Sequence, residues 1–158
     1  MKRSLIITAD DYGMSPSVNR AIEDCILNGV ITSTNVMMNM QYLEDGIHLK
    51  SKFPKLSLGI HFVLTVGKSV SEPALVETLV DKDGYFYPLK EFKSRYKKGL
   101  ISKQEISREL IAQYNRFKEL YGHPDYWNTH EHVHLNFGIY DLFLAECISL
   151  GIKKSRCN

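Results

Sequence analysis

Short apolar runs rich in β-branched residues alternate along this chain with longer stretches whose apolar residues recur every three to four positions. The first run, residues 4–9, carries Leu5, Ile6 and Ile7 and reads as a buried strand. Ser15 is placed to cap a helix with Pro16 at its first position. Val18, Ala21, Ile22, Cys25 and Ile26 then follow at helical spacing until Asn28-Gly29 stops the run. Residues 30–38 form a second strand pattern, with hydroxyls at Thr32, Ser33 and Thr34 on a polar face. Residues 41–52 predict a helix closed by Pro54, and residues 56–62 a third strand that delivers His61 at its carboxyl end. This β-α-β-α-β order implies a parallel sheet with helices outside it.

The rhythm is then interrupted. Residues 65–88 contain Gly67, Pro73, Asp83-Gly84 and the aromatic cluster Tyr85-Phe86-Tyr87. An excursion of this length is either lid-like or a surface insertion. Residues 89–98 are basic and amphipathic, a solvated helical face broken by Gly99. Ser102-Lys103-Gln104-Glu105 is a capping box, and Ile106, Leu110, Tyr114, Phe117 and Tyr121 continue it as a long helix ended by Gly122-His123-Pro124. Residues 126–129 predict a fourth strand with a histidine cluster at its end. Residues 137–150 predict another helix, and Ile152-Lys153-Lys154 opens a fifth strand.

Composition narrows the class. The 158 residues suit one domain with its own core, and 44% apolar with 24% charged residues is ordinary for a globular protein. A net charge of +2 with interspersed signs gives no case for nucleic acid or for a membrane surface. No apolar run approaches the ~18 residues of a membrane span, and the segment behind Met1-Lys2-Arg3 is too short for a signal peptide, so the chain reads as cytoplasmic. Cys25, Cys147 and Cys157 are widely spaced, which fits reduced thiols, with Cys25 and Cys147 in packing positions.

The chemistry gathers at strand ends. A parallel sheet points all its carboxyl ends to one side. Asp10-Asp11 from the first strand, His61 from the third and His130-Glu131-His132-Val133-His134 from the fourth would therefore converge. One carboxylate and two imidazoles make a three-ligand divalent metal site with open positions. The second acid of the pair is then free to act as a base. Taken singly, Asp-Asp also suits a helix cap or solvated turn, and His61 a structural role. Of the alternate histidines 130, 132 and 134, one or two would reach the ion, and the rest would support it or touch substrate. Tyr85, Phe86, Tyr87 and Trp127 are candidates for stacking on a substrate or for ordinary packing.

Four segments together resemble the YdjC/ChbG family of carbohydrate deacetylases. They are Thr8-Ala9-Asp10-Asp11-Tyr12-Gly13-Met14-Ser15, Asn28-Gly29-Val30-Ile31-Thr32-Ser33-Thr34, Gly59-Ile60-His61-Phe62-Val63-Leu64-Thr65, and Asn128-Thr129-His130-Glu131-His132-Val133-His134. The resemblance implies a distorted (β/α) barrel, of which this chain is about the first half, as a single domain over residues 1–158 that ends early. It implies Asp11, His61 and His130 as ligands of a divalent metal, Mg2+ or Zn2+, and Asp10 as the catalytic base. His132 is a candidate acid for the leaving amine, and Tyr12, Trp127 and His134 are candidate substrate contacts. The family usually places an acidic residue where this chain has Asn128. The implied reaction is hydrolysis of N-acetyl groups from amino sugars or chitooligosaccharides, the small-molecule carbohydrates released in chitin degradation. The rival readings are another barrel metallohydrolase, such as a phosphoesterase, and an inactive remnant that only associates with partners. Half a barrel exposes sheet edges, so a homodimer is an expected state.

Overall fold

The computed structural model describes residues 5–135 and 138–156. Four strands, β1 (Thr8–Tyr12), β2 (Ser33–Met37), β3 (Ser57–Phe62) and β4 (Trp127–Thr129), form one all-parallel sheet in the order β1-β2-β3-β4. The α/β expectation therefore holds. Beyond β4, Trp127 N–H donates to Lys154 O at 3.0 Å and Arg156 N–H to Trp127 O at 3.3 Å. The expected fifth strand thus begins as a parallel bridge between Trp127 and Ser155. No described helix is long and apolar enough to cross a membrane.

The connections are α1 (Pro16–Leu27), α2 (Leu49–Lys52), α3 (Leu89–Lys97), α4 (Lys103–Tyr121) and α5 (Tyr140–Ser149). Ser15 caps α1 by accepting from Val18 N–H, and Ser102 caps α4 by accepting from Glu105 N–H, as their sequences require. The helix expected over residues 41–52 is instead a 3-10 turn, Leu43–Gly46, followed by the single turn of α2. Gly46 is the reason. A Cβ there would lie 2.7 Å from the Tyr12 ring and 3.1 Å from both Leu49 Cδ1 and Tyr121 Oη, so this segment is shaped by close approach and not by helix propensity. The helix predicted over 137–150 is seen from Tyr140; Phe137 lies outside the described residues.

The first strand is displaced from its expected place. Residues 5–7 stay exposed before β1, and the ladder runs on to Tyr12. It does so through an irregularity: Ala9 pairs with Thr34 but Tyr12 with Val36, so β1 spends one residue more than β2 between those rungs.

Strand alternation sorts the sheet into two faces. Val36, Leu58, Ile60, Phe62 and Trp127 are buried and join the apolar core with Ile106, Leu110 and Phe117 of α4 and Phe143 of α5. The opposite face is polar: Ser33 and Asn35, His61, Tyr126 and Asn128. Gly59 is its gap. A Cβ at Gly59 would sit 2.5 Å from the Tyr126 ring, so the glycine leaves the space through which Tyr126 reaches Ser33 Oγ at 2.8 Å and Asn35 Nδ2 at 3.3 Å.

The long excursion is anchored to the body of the protein. Val76, Leu79, Val80 and Phe86 are buried in the core. Glu109 of α4, itself wholly buried, accepts from Val70 N–H and Ser71 N–H, and Gln113 is bonded to both Val63 N–H and Val63 O. Phe86 is thus a core residue. Tyr85 stays half exposed under the Lys68 ammonium, and Arg95 stacks on Tyr87 at 4.1 Å.

Candidate metal centre

The carboxyl ends of β1, β3 and β4 bring Asp11, His61 and His130 together. Their nearest ligand atoms all lie within 4.8 Å of one another. Asp11 Oδ1 is 3.1 Å from His61 Nε2 and 2.9 Å from His130 Nδ1, and the two rings meet edge to face. The His61 side chain is 2% exposed, whereas that of Asp11 is 31% exposed, so the cluster is walled on one side and open on the other. That is the form of a site that holds an ion and still admits water.

The local backbone explains how adjacent acids serve one site. Neighbouring residues of a regular strand point to opposite faces. Asp11 instead has φ 69°, the left-handed region, within the irregular part of β1. Asp10 keeps the polar face and Asp11 is turned toward His61 and His130. Glu131 and His132 are also left-handed, at φ 53° and 52°, in the tight turn His130–Leu135. Three strained residues sit at one end of the sheet, a concentration typical of working sites.

Asp10 is surrounded by donors. Its Oδ1 accepts from Asn35 Nδ2 at 2.6 Å, Asn128 Nδ2 at 3.2 Å and Arg156 Nη1 at 2.9 Å, while Oδ2 accepts from Arg156 Nη2 at 2.8 Å. Burial raises its pKa, but the Arg156 and Asn35 hydrogen bonds and the His61 charge outweigh that and leave it below the usual carboxylate value. Burial likewise opposes ionisation of Asp11, yet hydrogen bonds from His130 and His61 hold its carboxyl far below that range. Burial lowers the His130 pKa, but the hydrogen bond to Asp11 reverses the sign and leaves it raised.

The donor set fits a divalent cation. Both ring nitrogens of His61 face oxygens, Nδ1 toward Asn128 Oδ1 at 2.6 Å and Nε2 toward Asp11 Oδ1 at 3.1 Å. A neutral imidazole has only one N–H. One nitrogen lone pair therefore confronts an oxygen lone pair unless a second proton or a cation lies between them. Two imidazoles with one carboxylate are a common set for such a cation.

The remaining sequence candidates are distributed differently. His132 is exposed on the turn after His130. Tyr12 is fully buried and donates to Glu23 Oε1 at 2.8 Å. Trp127, 1% exposed, stacks on Phe143. His134 is bonded through Nδ1 to Thr129 Oγ1 at 2.6 Å and packed among Trp127, Tyr140 and Phe143. These three side chains, expected at the substrate, are buried among packed neighbours in this structure. Arg156 and Asn35 were not singled out in the sequence. Asn35 lies in the run read as a strand whose polar face was assigned to hydroxyls alone. The one clue to Arg156 was its place at the end of the incipient fifth strand.

Comparison with known proteins places this geometry. The sequence profile of the YdjC-like protein family matches residues 4–158. A chitooligosaccharide deacetylase of Klebsiella pneumoniae (strain 342) is 36% identical over 154 residues, covering 96% of this chain and 58% of that protein. One from Salmonella paratyphi B is 38% identical over 155 residues, with the same coverage of 96% and 58%. A crystal structure from Enterococcus faecalis, described as a candidate cellobiose-phosphate cleavage protein, superposes with a TM-score of 0.84 at 28% identity, covering 93% of this chain and 56% of that one. The chain therefore spans a little over half the length of the proteins it matches. With a profile match from residue 4 to residue 158 and relatives above one-third identity, this chain belongs to the YdjC-like protein family.

Proposed function

We propose that the chain carries the metal centre and general base of a carbohydrate deacetylase that hydrolyses N-acetyl groups of amino sugars or chitooligosaccharides. The observation that carries this reading is the Asp11-His61-His130 cluster with a second, separately held carboxylate, Asp10, beside it. The names of the bacterial relatives supply the substrate class.

Asp11, His61 and His130 would hold a divalent ion, which when bound lowers the pKa of a water and polarises an amide carbonyl. The two nitrogen donors favour Zn2+ over Mg2+, which prefers oxygen ligands. Asp10 takes the proton from the attacking water. Its Oδ2 carries one donor where Oδ1 carries three, so Oδ2 keeps the free lone pair for that transfer. Arg156 and Asn35 keep this base ionised and aimed. His132, exposed beside His130, returns a proton to the departing amine as the C–N bond breaks, giving acetate and a free amino sugar. A phosphoesterase reading requires a cation held ready for the phosphate. Against it, Arg156 is already committed to Asp10 by two bonds and is not free for a phosphate.

The test is acetate release from N,N′-diacetylchitobiose in the presence of Zn2+ or Mg2+. It is run with the chain alone and with the chain joined to the remaining length of its relatives. The expected result is metal-dependent release by the longer protein, abolished by Asp10→Asn with bound metal retained. Release that persists in Asp10→Asn, or metal content unchanged by His61→Ala, defeats the proposal.

A further inference from the structure

Asn128 stands where the metal cluster meets the Asp10 cluster. It is wholly buried, and in the β3–β4 register it lies directly beside His61. Its side chain is two-ended. Oδ1 is 2.6 Å from His61 Nδ1, and Nδ2 is 3.2 Å from Asp10 Oδ1. The two ends of an amide have the same shape, so its orientation follows from its partners. Asp10 is an acceptor-only carboxylate already held by Arg156 and Asn35, and it requires the NH2 end. The oxygen is then turned to His61, and an amide oxygen can only accept. His61 Nδ1 must carry the N–H of that bond, which leaves Nε2, the nitrogen facing Asp11, as the one available to a cation.

We propose that Asn128 is a positioning residue: anchored on Asp10 through its amide nitrogen, it dictates through its oxygen that His61 binds metal by Nε2. This rests on the metal-centre reading above. Asp10 and His61 belong to different strands and different parts of the proposed chemistry, and Asn128 makes the placement of one depend on the other. A carboxylate could replace the amide toward His61 but not toward Asp10. An aspartate at 128 would still accept from His61 Nδ1, but it would turn a second acceptor toward Asp10 and place a like charge beside it. A side chain without polar atoms would satisfy neither neighbour.

The experiment compares the 158-residue chain with its Asn128→Leu and Asn128→Asp variants, using Zn2+ binding by calorimetry and nitrogen-15 spectra of the cadmium-113-loaded protein. In the unaltered chain cadmium couples to His61 Nε2 and a slowly exchanging Nδ1–H is seen. Asn128→Leu loses that protected proton and binds Zn2+ roughly 10–100-fold more weakly, the range expected when a ligand loses its supporting hydrogen bond. Asn128→Asp keeps the proton and binds Zn2+ at least as tightly as the unaltered chain. Coupling of cadmium to His61 Nδ1 overturns the proposal. So does unchanged Zn2+ affinity in a folded Asn128→Leu chain. If Asn128→Leu does not fold, a tenfold loss of affinity in Asn128→Asp overturns it instead. Failure of the unaltered chain to bind either ion defeats the metal-centre reading itself, a result seen before any variant is made.

Discussion

Asp11 is a non-glycine residue held at φ 69°, and its carboxylate is shared by two imidazoles. Asparagine tolerates the left-handed region about as well as aspartate does. Asp11→Asn should therefore fold without added backbone strain, lose the stability that the ionised carboxylate gains from His130 and His61, and bind Zn2+ more weakly by more than the ~10–100-fold cost of losing an outer partner. Thermal unfolding and calorimetry on one preparation separate the two effects. His134 gives a second residue-scale expectation. Burial, with the charges of His132, Arg156 and His61 adding to it, pushes its pKa down to about 4, against ~6.5 in an unfolded chain. A folded-state value below the unfolded one means that its stabilising contribution is whole above pH ~6.5 and is lost as pH falls toward 4. With a chelator present, unfolding free energy should drop on the order of 2 kcal/mol between pH 7 and pH 5. In His134→Gln that slope should flatten. The other shifted groups act in other windows: Asp10 and Asp11 below pH ~4, and His130, whose pKa is raised, above ~6.5.

At the scale of elements, the capped helices were legible because their signals are local. Ser15-Pro16 and the Ser102 capping box depend only on residues within one turn, and both ends lie where the sequence puts them. Two elements were not legible. Residues 41–52 lost their helix to the close packing of Gly46 against Tyr12, Leu49 and Tyr121, contacts made across the fold. The β1 irregularity that aims Asp10 and Asp11 at one site leaves no mark in hydrophobic periodicity, because it is a pairing offset against β2. Helix α4 does more than cover the sheet. Its buried Glu109 carboxylate accepts from Val70 N–H, Ser71 N–H and Gln113 Nε2. Glu109→Ala would strand two backbone donors and should cost on the order of 3 kcal/mol, read by urea denaturation. Glu109→Gln, which keeps one acceptor, should cost less.

Across the whole molecule, the cluster ties three strands together through their carboxyl ends. Asp11, His61 and His130 come from β1, β3 and the turn after β4, so an ion bound there should stabilise the folded sheet as a unit. At a Zn2+ concentration 100 times its dissociation constant, linkage predicts about 2.7 kcal/mol of added stability. For a chain of this length that is a rise in Tm of roughly 5–10 °C. Scanning calorimetry should show the rise in the unaltered chain and lose it in His61→Ala.

The α/β class, the parallel sheet and the candidate Asp and His side chains at its strand ends follow from sequence alone. Periodicity, caps and turn residues act over a few positions, and parallel strands must present their ends on one side. Which side chains meet is a different matter. Burial took Tyr12, Trp127 and His134 into the packing, and a bulge turned Asp11 away from its neighbour's face. Arg156, 146 positions from Asp10, became its closest charge partner. Those outcomes depend on distances between strands far apart in the chain. They were decided only when the sheet closed the gap between Asp10 and Asn128 and set a single amide between Asp10 and His61.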